Sequence, residues 1–318
     1  MNIKIKSIEI TNFKGIKDLK LDFTYPESDN ILNNIIFYGI NGSRKSTILE
    51  AIYICFKEVF INKEMTENKN LKSIEANYID SSFIYNNKEE FNIKIELLIE
   101  NKQFFINFTY NKNTSKWFEF KPPLKYIPDE FINFITYLSS YRFLNFTNIY
   151  SPGSWNEIEN SNNNYASVKQ YLVNLITDKK VGALSKKNKI ILENIKKSFK
   201  IFFPEKEFME ELDRPEEKGD YRLKIKNEDG SIVDLDQLSS GEREVIAFFT
   251  YLSIETKENS IIIIDEPELH LHAKWQAIVL PAIHKVFPDS QIFLATHSSE
   301  IHQSASESEL FELIKDES

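Results

Sequence analysis

The chain lacks the features that mark secreted, membrane and DNA-coating proteins. Its 318 residues include one cysteine, Cys55, which excludes a disulfide framework and, between apolar neighbours, predicts a buried small side chain. No segment reaches the about 20 consecutive apolar residues that a membrane span requires, and the N-terminus has no signal-peptide core. The net charge of −9 argues against a generally basic DNA-coating protein. We therefore expect a cytoplasmic protein with no membrane partner.

Motifs for nucleic-acid recognition are also missing. The sequence contains no helix-turn-helix, zinc finger or aromatic stacking motif, and it has no internal repeat. The lysine-rich segment 179–200 is a candidate surface for DNA or a protein partner. A solvated helix face is the favoured interpretation, because the whole chain is rich in lysine, asparagine and isoleucine.

What the chain does contain is a phosphate-binding loop between a predicted strand and a predicted helix. Residues 35–56, IIFYGINGSRKSTILEAIYICF, place an apolar run, a glycine turn and a second apolar segment in succession. In such a loop, backbone N–H groups surround the β-phosphate of ATP, a lysine contacts the β/γ oxygens, and the next hydroxyl binds Mg²⁺. Those two roles fall to Lys45 and Ser46. The other residues expected to contact the nucleotide are Gly39, Asn41, Gly42, Ser43, Arg44 and Thr47.

The loop departs from the usual spacing G-x-x-x-x-G-K-[ST] at one position, where Arg44 replaces glycine before Lys45. The backbone passes close to the phosphates there, so a Cβ is poorly accommodated, and the turn favours a conformation that glycine reaches more easily. A guanidinium is also a good phosphate ligand, so Arg44 either obstructs or binds the nucleotide. We favour obstruction, which predicts a slow ATPase.

Two apolar strands near the C-terminus end in polar residues. SIIIIDEPELHLH (260–272) ends a four-isoleucine strand with Asp265 and Glu266, and QIFLATHSSEI (291–301) ends a second strand at His297. Ligands of open α/β sheets bind outside the carboxyl ends of the strands. These strand ends are therefore expected to converge with the phosphate loop on one crevice.

A further segment, QLSSGEREVIAFFTYL (237–252), begins an apolar helix with small polar residues. Ser239, Ser240 and Gly241 form either a backbone anion site or an ordinary helix cap. The segment is expected to join the same crevice.

In their order and spacing, these four segments resemble the motifs of ABC-type ATPases. GINGSRKST is similar to the Walker A motif, LSSGE to the ABC signature, IIIIDE to Walker B with the catalytic glutamate, and ATHSSEI to the switch-histidine segment. The opening IKSIEITNFKGIKDLKLDF resembles the N-terminal strand pair of the RecF/SMC branch. Within this branch the chain is most similar to the short-armed OLD-like ATPases of anti-phage defence, such as the Septu- and retron-associated PtuA type.

The resemblance implies a catalytic role for each strand-end residue. Asp265 would hold Mg²⁺ through water, beside Ser46, and Glu266 would polarise the attacking water as the general base. His297 would donate a hydrogen bond to the γ-phosphate. The implied catalytic residues are therefore Glu266, His297 and Lys45.

The resemblance also implies an ATP-dependent assembly. Ser239, Ser240 and Gly241 would contact the γ-phosphate held by an opposite subunit, so a homodimer, or a higher even oligomer, would close on ATP. Lys14, in the turn after the first strand, is a further candidate nucleotide contact. No glutamine lies at a convincing Q-loop position, and Arg142 in SSYRFL is the best candidate for that place.

Three histidines leave a zinc interpretation open. His270, His272 and His284 lie within 15 residues. The favoured interpretation is that HLH after DEPEL contacts the partner subunit, as the resemblance to OLD-like ATPases implies.

The implied fold class is α/β: an ABC ATPase head with a mixed central sheet around the phosphate loop, an antiparallel β lobe and a short helical lobe. We predict one bilobal domain over residues 1–318. Its parts are a nucleotide-binding core (1–60 and about 238–318), a charged linker (62–72), the antiparallel lobe (about 71–122) and the helical lobe with a hairpin (about 125–237). The helical lobe lacks sustained heptads, which excludes a long coiled-coil arm.

These observations predict an ATPase, and the resemblance implies that it acts as a sensor or regulator for a separate effector, a nuclease in phage defence. Only 21 residues follow His297, too few for the Toprim nuclease domain of full OLD proteins, so we expect any nuclease to be another chain. The alternatives are a RecF-like DNA-repair ATPase that binds DNA directly and a catalytically weak ATP-binding scaffold. A transporter subunit is disfavoured because the LSGGQ form and the transporter D-loop are both replaced.

Overall fold

The computed structural model describes residues 2–67, 79–121, 135–139, 164–213, 222–269 and 271–314. The chain divides into two compact units. The first comprises Met1–Ser139, Thr256–Pro267 and Phe287–Ser318, and the second comprises Ser140–Glu255 and Glu268–Val286. Within the described ranges, no helix has the length and apolar character needed to cross a membrane.

Strands and helices follow one another in a mixed order. The strands are β1 (Ile3–Phe13), β2 (Ile16–Asp22), β3 (Asn34–Tyr38), β4 (Glu90–Ile99), β5 (Lys102–Asn111), β6 (Ser115–Lys121), β7 (Ile135–Leu138), β8 (Glu207–Asp213), β9 (Arg222–Lys226), β10 (Ile232–Asp234), β11 (Ile261–Asp265), β12 (Gln291–Thr296) and β13 (Leu310–Glu312). The helices are α1 (Lys45–Glu67), α2 (Asn164–Lys180), α3 (Lys186–Phe202), α4 (Ser240–Glu255), α5 (Ala273–Val286) and α6 (Ser299–Gln303).

The first unit contains an antiparallel sheet of order β2-β1-β4-β5-β6. Its strands alternate buried apolar and more exposed polar residues, which is the pattern expected when one face of a sheet covers a core. Phe13 pairs with Ile16, so Lys14 and Gly15 alone form the turn between β1 and β2. This turn approaches the phosphate loop, because a Cβ added at Gly15 would lie 2.7 Å from Arg44 Nε.

The first unit also contains a parallel sheet of order β13-β3-β12-β11-β7. Strands β11 and β12 are buried at every position, as expected for strands covered on both faces. Helix α1 packs on both of them. At the start of β12 the buried side chain of Gln291 accepts from the N–H of Ile5 and donates to the carbonyls of Ile5 and Leu32, at 2.7–3.0 Å. These bonds tie the antiparallel sheet to the parallel one.

The segment after the phosphate loop differs from expectation. Helix α1 continues to Glu67, so the first six residues of the predicted linker 62–72 are helical, and that part of the prediction was wrong. Lysine, glutamate and methionine are good helix formers, so a charged composition does not by itself end a helix. Strand β7 occupies Ile135–Leu138. Strand β13 was not anticipated.

Among its described residues, the second unit combines the α-helices α2, α3, α4 and α5 with a small antiparallel sheet of order β10-β9-β8. Helix α3 is amphipathic, buries Ile191, Ile195 and Phe199 among other residues, and packs against α4 and α5. Strands β9 and β10 form a hairpin within the predicted lobe of about 125–237, and Gly230 in its turn has a φ of 81°. This hairpin leads directly to the start of α4.

Candidate nucleotide-binding site

Polar side chains gather at the carboxyl edge of the parallel sheet. Tyr38 at the end of β3 pairs with Thr296 at the end of β12, and Asp265 at the end of β11 pairs with Ala295. The three strands therefore end at one level. The phosphate loop, Glu266 and His297 each follow directly after one of them. The topology thus brings these predicted residues to one edge.

The lysine of the phosphate loop is folded into the loop. Lys45 is 5% exposed, and its Nζ donates to the carbonyl oxygens of Gly39 and Ile40 at 3.0 and 3.2 Å and to Ser43 Oγ at 3.4 Å. The ammonium is therefore surrounded by oxygen acceptors of the loop itself. An anion seated in the loop would meet this ammonium directly.

The first turn of α1 is joined to the end of β11 by one hydrogen bond. The exposed Ser46 donates its Oγ–H to Asp265 Oδ1 at 2.9 Å, although 219 residues separate the two in sequence. Asp265 is 4% exposed. A hydroxyl and a carboxylate side by side are the oxygen ligands that Mg²⁺ prefers, so the residues present fit this ion.

Glycine is required at the entrance of the loop. Gly39 has a φ of +141°, and a Cβ built there would lie 2.4 Å from the backbone oxygen of Leu313. Leu313 follows β13, and its N–H donates to the carbonyl of Tyr38 at 2.9 Å. Gly42, with a φ of +80°, faces open space instead. The chain after β13 therefore limits what position 39 can hold.

Arg44 adopts the backbone conformation that glycine favours. Its φ is 72°, in the left-handed region, and its carbonyl accepts from the N–H of Ile48 at 3.2 Å as α1 begins. Its side chain lies against Gly15 in the β1–β2 turn, where an added Cβ would be 2.7 Å from Arg44 Nε. The guanidinium thus extends from the loop toward that turn. Because Gly15 has no Cβ, the side chain of Arg44 can occupy this space.

Lys14 lies in the same turn and contacts α1. Its Nζ is 2.6 and 2.5 Å from the two carboxylate oxygens of Glu50 and 4.3 Å from the ring centroid of Phe83. Its N–H donates to the Phe83 carbonyl at 2.6 Å. Glu50 was not among the predicted site residues. The sequence signal that could have identified Glu50 is its position one helical turn after Ser46.

The residues after β11 and β12 differ in exposure. Glu266 is half-buried with a φ of 50°, and its N–H donates to the Ala295 carbonyl at 2.8 Å. His297 is exposed, and the next residue, Ser298, caps α6 by accepting from the N–H of Ile301. The remaining loop residues are Asn41, which is exposed, and Thr47, which is half-buried in the first turn of α1.

The signature segment belongs to the second unit, where Ser239 precedes α4. Its N–H and Oγ–H both donate to Glu242 Oε2, at 2.9 and 2.8 Å, and its Oγ accepts from the N–H of Glu242 at 3.3 Å. Ser240 and Gly241 lie in the first turn. Burial raises the pKa of Glu242, but hydrogen bonds from Lys206 and Ser239 outweigh burial and lower it overall. Sequence reasoning missed Glu242, although S-x-x-E is the spacing of a capping box.

His272 and His284 belong to the second unit. His272 accepts from the N–H of Lys274 at 3.4 Å at the start of α5, and His284 lies further along that helix. His270 and Arg142 are outside the described residues. Over the described ranges, no three His, Cys, Asp or Glu side chains are grouped so as to hold a metal ion. Cys55 is buried, and burial raises the pKa of its thiol.

A family model described as "AAA domain, putative AbiEii toxin, Type IV TA system" matches residues 35–301. The chain belongs to this family. The Septu protein PtuA of Bacillus mycoides (strain KBAB4) is 27% identical over 92% of this chain, which spans 38% of that relative's length. The "Retron Vc95 probable ATPase" of Vibrio cholerae serotype O1 biovar El Tor is 24% identical over 93% of this chain and 70% of its own length.

Solved structures match the fold over nearly the whole chain. "Crystal structure of the SmcHead bound to the C-winged helix domain of ScpA" superposes with a TM-score of 0.58 and 16% identity, covering 98% of this chain and 94% of that one. The SMC head domain from Thermotoga maritima gives a TM-score of 0.57 at 13% identity, covering 98% and 94%. The predicted α/β fold class and the resemblance to ABC-type ATPases are confirmed.

Proposed function

We propose that the chain binds and hydrolyses ATP with Mg²⁺, dimerises around ATP and regulates a separate effector in anti-phage defence. The observation that carries the proposal is the Ser46–Asp265 hydrogen bond of 2.9 Å. It joins the phosphate loop to the strand that ends in two carboxylates. This geometry is what an ATP-hydrolysing site needs, because the triphosphate and its metal must meet a base at one edge.

Each residue at this edge has a chemical role in the proposal. Lys45 would contact the β/γ oxygens of the nucleotide, and Ser46 with Asp265 would hold Mg²⁺, which would supply positive charge to the phosphates. Glu266 accepts a proton from the attacking water, and His297 donates to the γ-phosphate. The exposure of His297 supports this role, since the side chain is accessible to a nucleotide.

The proposed dimer and the proposed partner are argued from the similarity of this chain to its relatives. The signature turn, Ser239 to Gly241, contacts the γ-phosphate held by a second copy of the chain, so ATP becomes part of the interface. The Septu and retron relatives support a place in a defence system. The effector that we propose there is a nuclease. The chain spans 38% of the PtuA relative, so the activity and partners of the whole protein belong to this proposal.

The experiment compares the wild type with Glu266→Gln. Loss of the general base should lower hydrolysis by about 10²-fold or more while leaving ATP-dependent dimers longer lived. Sedimentation with saturating ATP and Mg²⁺ measures the dimer, and a phosphate assay measures turnover. A variant that binds ATP normally but stays monomeric would refute the assembly around ATP.

Arg44 favours a second candidate, a catalytically weak ATP-binding scaffold. Its left-handed backbone at a position that usually takes glycine is the specific observation. In that case the same phosphate assay would give equal, near-background turnover for the wild type and for Glu266→Gln, with dimers forming in both.

A further inference from the structure

The signature turn carries a negative charge where a phosphate is proposed to approach. Both donors of Ser239, the N–H and the Oγ–H, are already directed at Glu242 Oε2. A polyphosphate that approaches Ser239 therefore approaches a carboxylate within hydrogen-bond distance of the same atoms. Like charges at this separation repel, and the repulsion is stronger once the closing interface excludes water.

The ammonium of Lys206 counters this charge. Lys206 lies between α3 and β8, and its Nζ is 2.6 Å from Glu242 Oε1, the carboxylate oxygen that Ser239 does not use. The two side chains are only 18% and 15% exposed. The N–H of Lys206 donates to the carbonyl of Phe203 at 3.0 Å, which holds the lysine at the end of α3. The ammonium and the serine thus share the two oxygens of one carboxylate.

We propose that Lys206 is a positioning residue that neutralises Glu242 and so allows the turn at Ser239 to receive the polyphosphate bound by a second copy of this chain. The proposal rests on the proposed function, because it needs ATP at the interface between copies. A helix cap alone would need only Ser239 and Glu242, since a capping box has no lysine. The helix cap therefore does not account for the ion pair between Lys206 and Glu242.

The test measures ATP-dependent dimerisation in the Glu266→Gln background, where dimers are expected to persist. Lys206→Met is compared with Lys196→Met, a matched control. Lys196 is also paired with a glutamate in the second unit, at 2.7 Å from Glu210, and its loss changes the net charge by the same amount. A third variant combines Lys206→Met with Glu242→Gln, which keeps the capping oxygen and removes the charge.

Lys206→Met should raise the dimer dissociation constant by about tenfold at low salt and by less at high salt, because salt screens the repulsion while the two copies approach each other through water. Lys196→Met should leave it unchanged, and Glu242→Gln should restore the affinity of Lys206→Met. Nucleotide affinity of the monomer, measured by calorimetry, should be the same in all variants.

Three outcomes contradict the proposal. Equal dimerisation of Lys206→Met and Lys196→Met would show that the lysine is not needed at the turn. Failure of Glu242→Gln to rescue would show that Lys206 acts through structure and not through charge. Failure of the Glu266→Gln background itself to dimerise with bound ATP would refute the proposed function, which separates that failure from failure of the lysine's role.

Discussion

Replacing Arg44 tests both the backbone and the side chain at the unusual position of the phosphate loop. At a φ of 72°, a residue with a Cβ is strained by roughly 1–2 kcal/mol, and glycine is not. Glycine loses about 0.5–1 kcal/mol in return, because its unfolded chain is more flexible. Arg44→Gly should therefore be more stable than Arg44→Ala by about 0.5–1 kcal/mol.

The alanine variant separates the two effects of Arg44 on nucleotide binding. Alanine keeps the Cβ and the strained backbone but removes the guanidinium that lies against Gly15. If the Cβ obstructs the phosphates, as we expect, Arg44→Ala should bind ATP like the wild type. Relief of about 1 kcal/mol in Arg44→Gly would then tighten binding about fivefold.

Calorimetric ATP titration, a steady-state phosphate assay and urea unfolding of the three proteins provide the measurements. Weaker ATP binding in both variants would refute obstruction and assign the guanidinium to the nucleotide. Equal stability of the alanine and glycine variants would contradict the strain argument. Unchanged ATP affinity and unchanged turnover in Arg44→Gly would show that the arginine has no effect on function.

Three further predictions follow from contacts in the structure. Ser46→Ala should raise the Mg²⁺ concentration needed for half-maximal ATP hydrolysis by about tenfold or more, whereas Ser46→Thr keeps the hydroxyl and should not. Gly39→Ala should lower the free energy of unfolding in urea by more than about 2 kcal/mol, because backbone strain adds to a clash with the backbone. Gly42→Ala, at a position that faces open space, should lower it by about 1 kcal/mol. Equal losses in the two variants would contradict the clash. Burial raises the pKa of Glu210, but hydrogen bonds from two lysines outweigh it and lower the pKa from its ordinary 4.5. Because the pKa of Glu210 is lower in the folded state, its ion pairs stabilise the fold at higher pH, and this stabilisation is lost on acidification. Glu210→Gln should therefore flatten the fall in stability below about pH 4.5. Parallel curves of stability against pH for the two proteins would refute the contribution of the ion pairs.

Much of the architecture could be predicted because its signals are local. An apolar run followed by a glycine turn and Lys45 specifies a strand, a loop and a helix within about 20 residues. The two later apolar runs correspond to strands β11 and β12. The hairpin at Gly230 follows from its turn residues in the same way. The end of α1 was misjudged, because the charged residues up to Glu67 favour a helix as well as a linker.

Sequence alone determined the family, the strand–loop–helix unit and the residue types available for phosphate and Mg²⁺, because each depends on neighbours in the chain. Tertiary structure alone decided which of these residues meet. Ser46 reaches Asp265 across 219 residues, Glu50 pairs with Lys14 across 36, and the chain near Leu313 closes on Gly39. Such contacts depend on strand order and register, which a single sequence does not encode in any local pattern. The physical reason is that parallel strands align their ends only when the whole sheet has formed.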